Sequence, residues 1–111
     1  MRLKKKEDFA KVYRQEQSTA NYQFVVYKMK NPEVEKFRAG ISASKKIGNA
    51  VKRNRVRRIV KELIRKNQDR IREGYDFIII VRARAVNMEF AQLEKSLLHV
   101  LGKASLLKKK K

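Results

Sequence analysis

The chain has 111 residues, 42% of them hydrophobic and none of them cysteine. That is one domain's worth of sequence, able to bury roughly two-thirds of its surface, and it excludes disulfides, thiolate metal sites and a cysteine nucleophile. Lys plus Arg total 30 against 11 Asp plus Glu, a formal net charge of +19, and so large a self-repelling surplus points to a polyanionic partner.

In chain order, Phe9, Val12 and Tyr13 fall at i, i+3 and i+4, which predicts a short amphipathic helix near Glu7 to Glu16. Phe24-Val25-Val26-Tyr27 is an apolar, β-prone run, broken by Asn31-Pro32-Glu33. Arg38 to Ser44 alternates, with Ala39, Ile41 and Ala43 on one face. These two runs are expected to pair as antiparallel neighbours across the Pro32 loop. Asn49 to about Gln68 carries the strongest helix signal, with Val56, Ile59, Val60, Leu63 and Ile64 in one stripe. Gly74 stops that region, and Tyr75 to Val81 has the unbroken apolar centre of a strand buried on both faces. Asn87 is the expected N-cap of a last helix carrying Phe90, Leu93, Leu97, Leu98 and Leu101.

The order helix, two or three strands, helix, strand, helix predicts an α+β or α/β two-layer sandwich with a mixed sheet. Residues 1–107 form its single domain, and the lysine run 108–111 reads as a frayed basic tail. The longest apolar run, Phe77 to Val81, is far too short to span a bilayer. The basic N-terminus is followed by no apolar signal core. A cytoplasmic protein without membrane association is expected.

Lys45 to Arg72 holds twelve cationic side chains against Glu62 and Asp69, more than half of the net charge in a quarter of the chain. On a helical wheel, Asn54, Arg58, Lys61 and Arg65 lie opposite the apolar stripe, with Arg55 and Arg57 on the flanks. Carboxylates that could pair with them are nearly absent. Lys52, Arg53 and Arg55 also crowd the helix start, where the backbone dipole disfavours cations by roughly 0.3–1 kcal/mol each. A phosphate there would meet free backbone N–H groups and arginines together. The segment reads as an anion-binding helix.

Phe24-Val25-Val26-Tyr27 is apolar on both parities, so one pair must pack away from the main core. Phe9 and Tyr13 are the nearest residues to cover it. Together they either close a second small core or line an open groove with Lys45 at its mouth. Single-stranded nucleic acid favours such a stacking surface beside basic groups. For catalysis the chain offers little. Its one histidine, His99, sits in the last amphipathic helix with no acid partner evident, and no carboxylate pair has the setting of a two-metal site.

The run Lys45-Lys46-Ile47-Gly48-Asn49-Ala50-Val51-Lys52-Arg53-Asn54-Arg55-Val56-Arg57-Arg58 resembles the basic signature of the bacterial ribonuclease P protein family, with its Arg-Asn-Arg segment at Arg53-Asn54-Arg55. Asp8-Phe9 with Val12-Tyr13, Ser18 to Asn21, Phe24 to Tyr27, Gly40-Ile41-Ser42 and Asp76 to Val81 extend the resemblance over nearly the whole chain. It implies a fold with a left-handed crossover between parallel strands, akin to a ribosomal-protein domain. It also implies a subunit of a ribonucleoprotein nuclease in which a catalytic RNA, using Mg²⁺, hydrolyses precursor tRNA at the mature 5′ end. This chain would then bind no cofactor itself, supply no catalytic residue and need no obligate protein partner.

By the same resemblance, Lys46, Asn49, Arg53, Asn54, Arg55, Arg57, Arg58 and Lys61 would meet the catalytic RNA. Phe9, Tyr13, Val25 and Tyr27, with Ser42 and Lys45 as polar neighbours, would hold the single-stranded 5′ leader of the precursor. Three positions depart from the family pattern. Glu16 stands where relatives often have glycine, and is not expected to take a left-handed cap easily. Tyr22 stands where a basic residue is common, and Lys6 replaces a capping residue. A ribosomal or generic structural RNA-binding protein is the alternative that charge alone would equally satisfy.

Overall fold

A computed structural model describes residues 2–109. Its elements are α1 (Lys6–Arg14), β1 (Ser18–Ala20), β2 (Phe24–Lys30), β3 (Phe37–Ser42), α2 (Ala50–Lys66), β4 (Tyr75–Val81) and α3 (Phe90–Lys103), with short 3-10 turns between them. The four strands form one mixed sheet in the order β1-β2-β4-β3.

The expected hairpin of β2 and β3 is absent. β4 lies between them, antiparallel to β2 and parallel to β3. The reason is in β4 itself: Phe77, Ile78 and Ile79 are fully buried, so neither face nor edge of this strand tolerates water. A β2–β3 hairpin would have pushed it to the edge.

Strand alternation then sorts the core. Phe24, Val26, Phe77, Ile79 and Val81 face α2 and α3, where they meet Val56, Val60, Leu63, Leu93 and Leu97. On the opposite face Ile78 meets Leu3 and Val12, with Phe9, Tyr13, Tyr27, Met29 and Ile80 around them. The two-layer core is as expected, and α1 adds a partial third layer over β2 and β4.

Helix boundaries follow their caps. Asn49 caps α2, its side-chain oxygen accepting from the Lys52 N–H at 2.9 Å. The expected cap Asn87 is displaced by Glu89, whose N–H donates to Gln92 Oε1 at 3.1 Å. The cause is a preceding turn, closed by Met88 N–H on Ala85 C=O, which takes up Asn87. At the C-terminus the Leu106 N–H bonds the Leu101 carbonyl, and the Lys108 N–H bonds Arg70 at 2.7 Å. Lys108 is therefore tied down rather than part of a frayed tail. Lys110 and Lys111 lie outside the described residues.

Glu16 corrects another expectation. It does take the left-handed conformation, φ 53°, with its N–H on the Tyr13 carbonyl at 3.1 Å. Strand pairing begins two residues later, at Ser18 opposite Tyr27, which leaves Glu16 and Gln17 to make the turn. A residue with a Cβ pays roughly 1–2 kcal/mol for that backbone. Glu16→Gly is therefore expected to raise unfolding free energy by about 1 kcal/mol, seen as a higher melting temperature. No gain on melting would contradict this account of the turn.

Candidate nucleic-acid interface

Strand register builds the first surface. On the α1 side of the sheet, Arg38, Asp76 and Met29 form one row across β3, β4 and β2. Gly40, Ile78, Tyr27 and Ser18 form the next, and Ser42, Ile80, Val25 and Ala20 the last. α1 lies over the first two rows. In the last row no residue is buried, so an apolar strip of sheet opens beside α1.

Tyr13 and Tyr27 form its wall, with ring centroids 5.0 Å apart in an edge-to-face arrangement. Burial pushes the Tyr13 phenol above its ordinary 10.0, a hydrogen bond with Ser42 works against that rise, and nearby Tyr27 adds to it. The phenol is thus uncharged at neutral pH. Its face is apolar and its hydroxyl can hydrogen-bond, as a stacking surface for bases requires. Lys45 is exposed in the turn Lys45–Ile47 directly after β3, at the Ser42 end of this strip.

The structure thus brings Tyr13, Val25, Tyr27 and Ser42 together. Phe9 is set apart. Its ring lies so close over Gly40 that a Cβ there would sit 2.5 Å from Phe9 Cζ. Glycine at 40 is what lets α1 approach the sheet. Ile80 and Ala20 belong to the strip and were not expected there, since their place follows from strand order rather than from local pattern.

The second surface is α2. Asn54, Arg58, Lys61 and Arg65 are exposed along one side, and Val56, Val60, Leu63 and Ile64 are buried on the other. Arg58 and Lys61 have no carboxylate partner among the described residues, whereas Arg65 is engaged by Glu62. Lys46 and Asn49 precede the ridge, both exposed.

Two arginines of the basic run have internal work. Arg55 donates to the carbonyls of Val86 at 3.3 Å and Met88 at 3.1 Å, tying the loop after β4 to α2. Arg57 donates to the Ala43 carbonyl at 3.2 Å. Arg53 is half-buried, and the Nε atoms of Arg53 and Arg57 are buried without a partner. Periodicity put Arg55 on the flank but could not tell a tether from a free cation.

His99 is exposed on α3, its ring nitrogen 3.3 Å from Asn21 Nδ2. Among the described residues no three His, Cys, Asp or Glu side chains converge as metal ligands.

The chain matches, over residues 1–105, the family model described as Ribonuclease P. The ribonuclease P protein component of Listeria innocua serovar 6a is 48% identical over 109 residues, 98% of this chain and 92% of that protein. The RNase P protein of Staphylococcus aureus shares the backbone with a TM-score of 0.89 at 43% identity, over 96% of this chain and 97% of that one. The RNase P protein from Thermotoga maritima does so with a TM-score of 0.83 at 31% identity, covering 93% and 96%. With sequence and backbone alike matched over nearly the whole chain, the chain belongs to the ribonuclease P protein component family, the protein part of the ribonucleoprotein enzyme that processes tRNA 5′ ends.

Proposed function

We propose that this subunit docks the exposed side of α2 on the catalytic RNA and receives the single-stranded leader of precursor tRNA on the open strip beside α1. The observation that carries the reading is the partly exposed row Ser42, Ile80, Val25 and Ala20 next to the tyrosine pair. An ordinary core would have closed it. The strip ends at Ser42, and only the Lys45–Ile47 turn separates it from the start of α2. A leader in the strip would therefore emerge beside RNA held on the helix.

In this reading the protein binds and positions, and the RNA hydrolyses. Mg²⁺ belongs to that RNA chemistry. The setting is cytoplasmic, in keeping with described helices that are all too short or polar to cross a membrane.

Comparing precursor tRNA carrying a leader with mature tRNA, each bound to the enzyme reconstituted with catalytic RNA, tests the leader site. Tyr27→Ala is expected to lower precursor affinity about tenfold, since one stacked base contributes roughly 1–3 kcal/mol, and to leave mature tRNA binding unchanged. Equal loss for both substrates, or loss for neither, would remove the leader from this strip.

A further inference from the structure

β3 is an edge strand, and its outer edge is only partly covered. Arg2 bridges Ala39, and the Leu3 N–H donates to the Ala39 carbonyl at 3.0 Å. Backbone groups alternate along a strand, so the N–H and C=O of Ile41 point to this same outer edge. Between this edge and α2 lies a cleft of about 630 Å³. It is separate from the tyrosine strip: of the residues expected to hold the leader, only Phe9 lines it.

Its chemistry is mixed in a particular way. Ala39, Ile41 and Ile64 make an apolar floor, while Arg2, Lys4, Arg57, Lys61 and Arg65 surround it. Among the described residues no carboxylate lines the cleft, and of the five cations only Arg65 has an acid partner. Arg57 is held in place by the Ala43 carbonyl, yet its buried Nε has no acceptor.

The convex backbone of a duplex would rest on exposed Arg58 and Lys61 and gain nothing from a recess with an apolar floor. An extended peptide could pair with the strand edge, but five cations give it no reason to be there unless it is acidic. A flat base, apolar on its face and hydrogen-bonding at its rim, with a phosphate attached, satisfies floor, edge and cations together.

We propose that this cleft takes one unstacked nucleotide of the catalytic RNA, with its base on the partly exposed Ile41 and its phosphate between Arg57, Lys61 and the N-terminal Arg2 and Lys4. The inference rests on the reading that the RNA docks on α2. It adds that docking is anchored by an extruded base, and that the N-terminal segment closes over it.

The absence of cysteine makes the test clean. A photo-crosslinker is attached at Lys4→Cys and, separately, at Arg65→Cys, and each protein is bound to catalytic RNA. Both are expected to mark the same unpaired nucleotide. Making that nucleotide abasic should then weaken wild-type protein binding about tenfold, the loss of one stacked base. The abasic arm leaves the protein unaltered, so misfolding cannot mimic it. Tight binding with crosslinks scattered over paired stems, or an abasic RNA bound as well as the intact one, would overturn the inference while leaving α2 docking in place. Failure of wild-type protein to bind the RNA would overturn both.

Discussion

Arg38→Ala is expected to lower the unfolding free energy by about 3 kcal/mol, the largest single-site effect outside the hydrophobic core. Asp76 sits in the sheet with no exposed surface, facing α1. Arg38 binds it through two parallel bonds, Nε to Oδ1 at 2.9 Å and Nη2 to Oδ2 at 2.7 Å. Asn31 adds a third at 3.1 Å, and Arg38 reaches Asp8 of α1 at 3.4 Å. Removing the guanidinium leaves a buried carboxylate with one neutral donor, whereas removing both partners removes the problem. The double variant Arg38→Met, Asp76→Leu should recover most of the loss. Denaturant midpoints for the single and double variants check this, and a single-variant loss under about 1 kcal/mol would mean the buried Asp76 carboxylate does not depend on Arg38.

Arg58→Ala and Lys61→Ala are expected to weaken catalytic-RNA binding and to flatten its salt dependence. Each neutralised phosphate contributes about 0.9 to the slope of log K against log salt on duplex. The double variant should therefore lower the slope by nearly 2 and lose most affinity at low salt. Neither side chain has an acid partner among the described residues, so stability should barely change. Arg55→Ala should behave differently, losing stability because its guanidinium holds the Val86 and Met88 carbonyls. Binding titrations over a salt series, paired with melting curves, separate the two. Unchanged slopes for Arg58 and Lys61 would take this side of α2 out of the interface.

The extent of the basic helix and its buried side were legible in the sequence because they depend on one period and one charge run, whereas the tethering of Arg55 and Arg57 was not. Val56, Val60 and Leu63 at helical spacing dictate which side is buried, and Arg58 and Lys61 follow on the other. The tyrosine strip was legible in part, since strand parity separates Val25 and Tyr27 from Phe24 and Val26 without any tertiary knowledge. Which strand lies beside β2 was not legible. It is decided by the burial demand of β4, a comparison across the whole chain rather than a local pattern. Ile80 and Ala20 in the strip, and Asp76 opposite Arg38, all follow from that one long-range choice. The left-handed Glu16 was misjudged for a related reason: strand pairing outweighs a penalty of one or two kcal/mol at one residue. The cleft at the β3 edge was invisible because an N-terminal segment with no periodic signal forms one of its walls.

The central claim is that this chain enables an RNA to mature tRNA and does so by binding rather than by cutting. Cleavage of a 5′-extended precursor tRNA by a bacterial ribonuclease P RNA at low Mg²⁺, with and without this protein, tests it most directly. The account expects correct 5′ maturation only when both are present, and no cleavage by the protein alone. Tight RNA binding without any stimulation of cleavage would contradict it, and would favour a structural RNA-binding role instead.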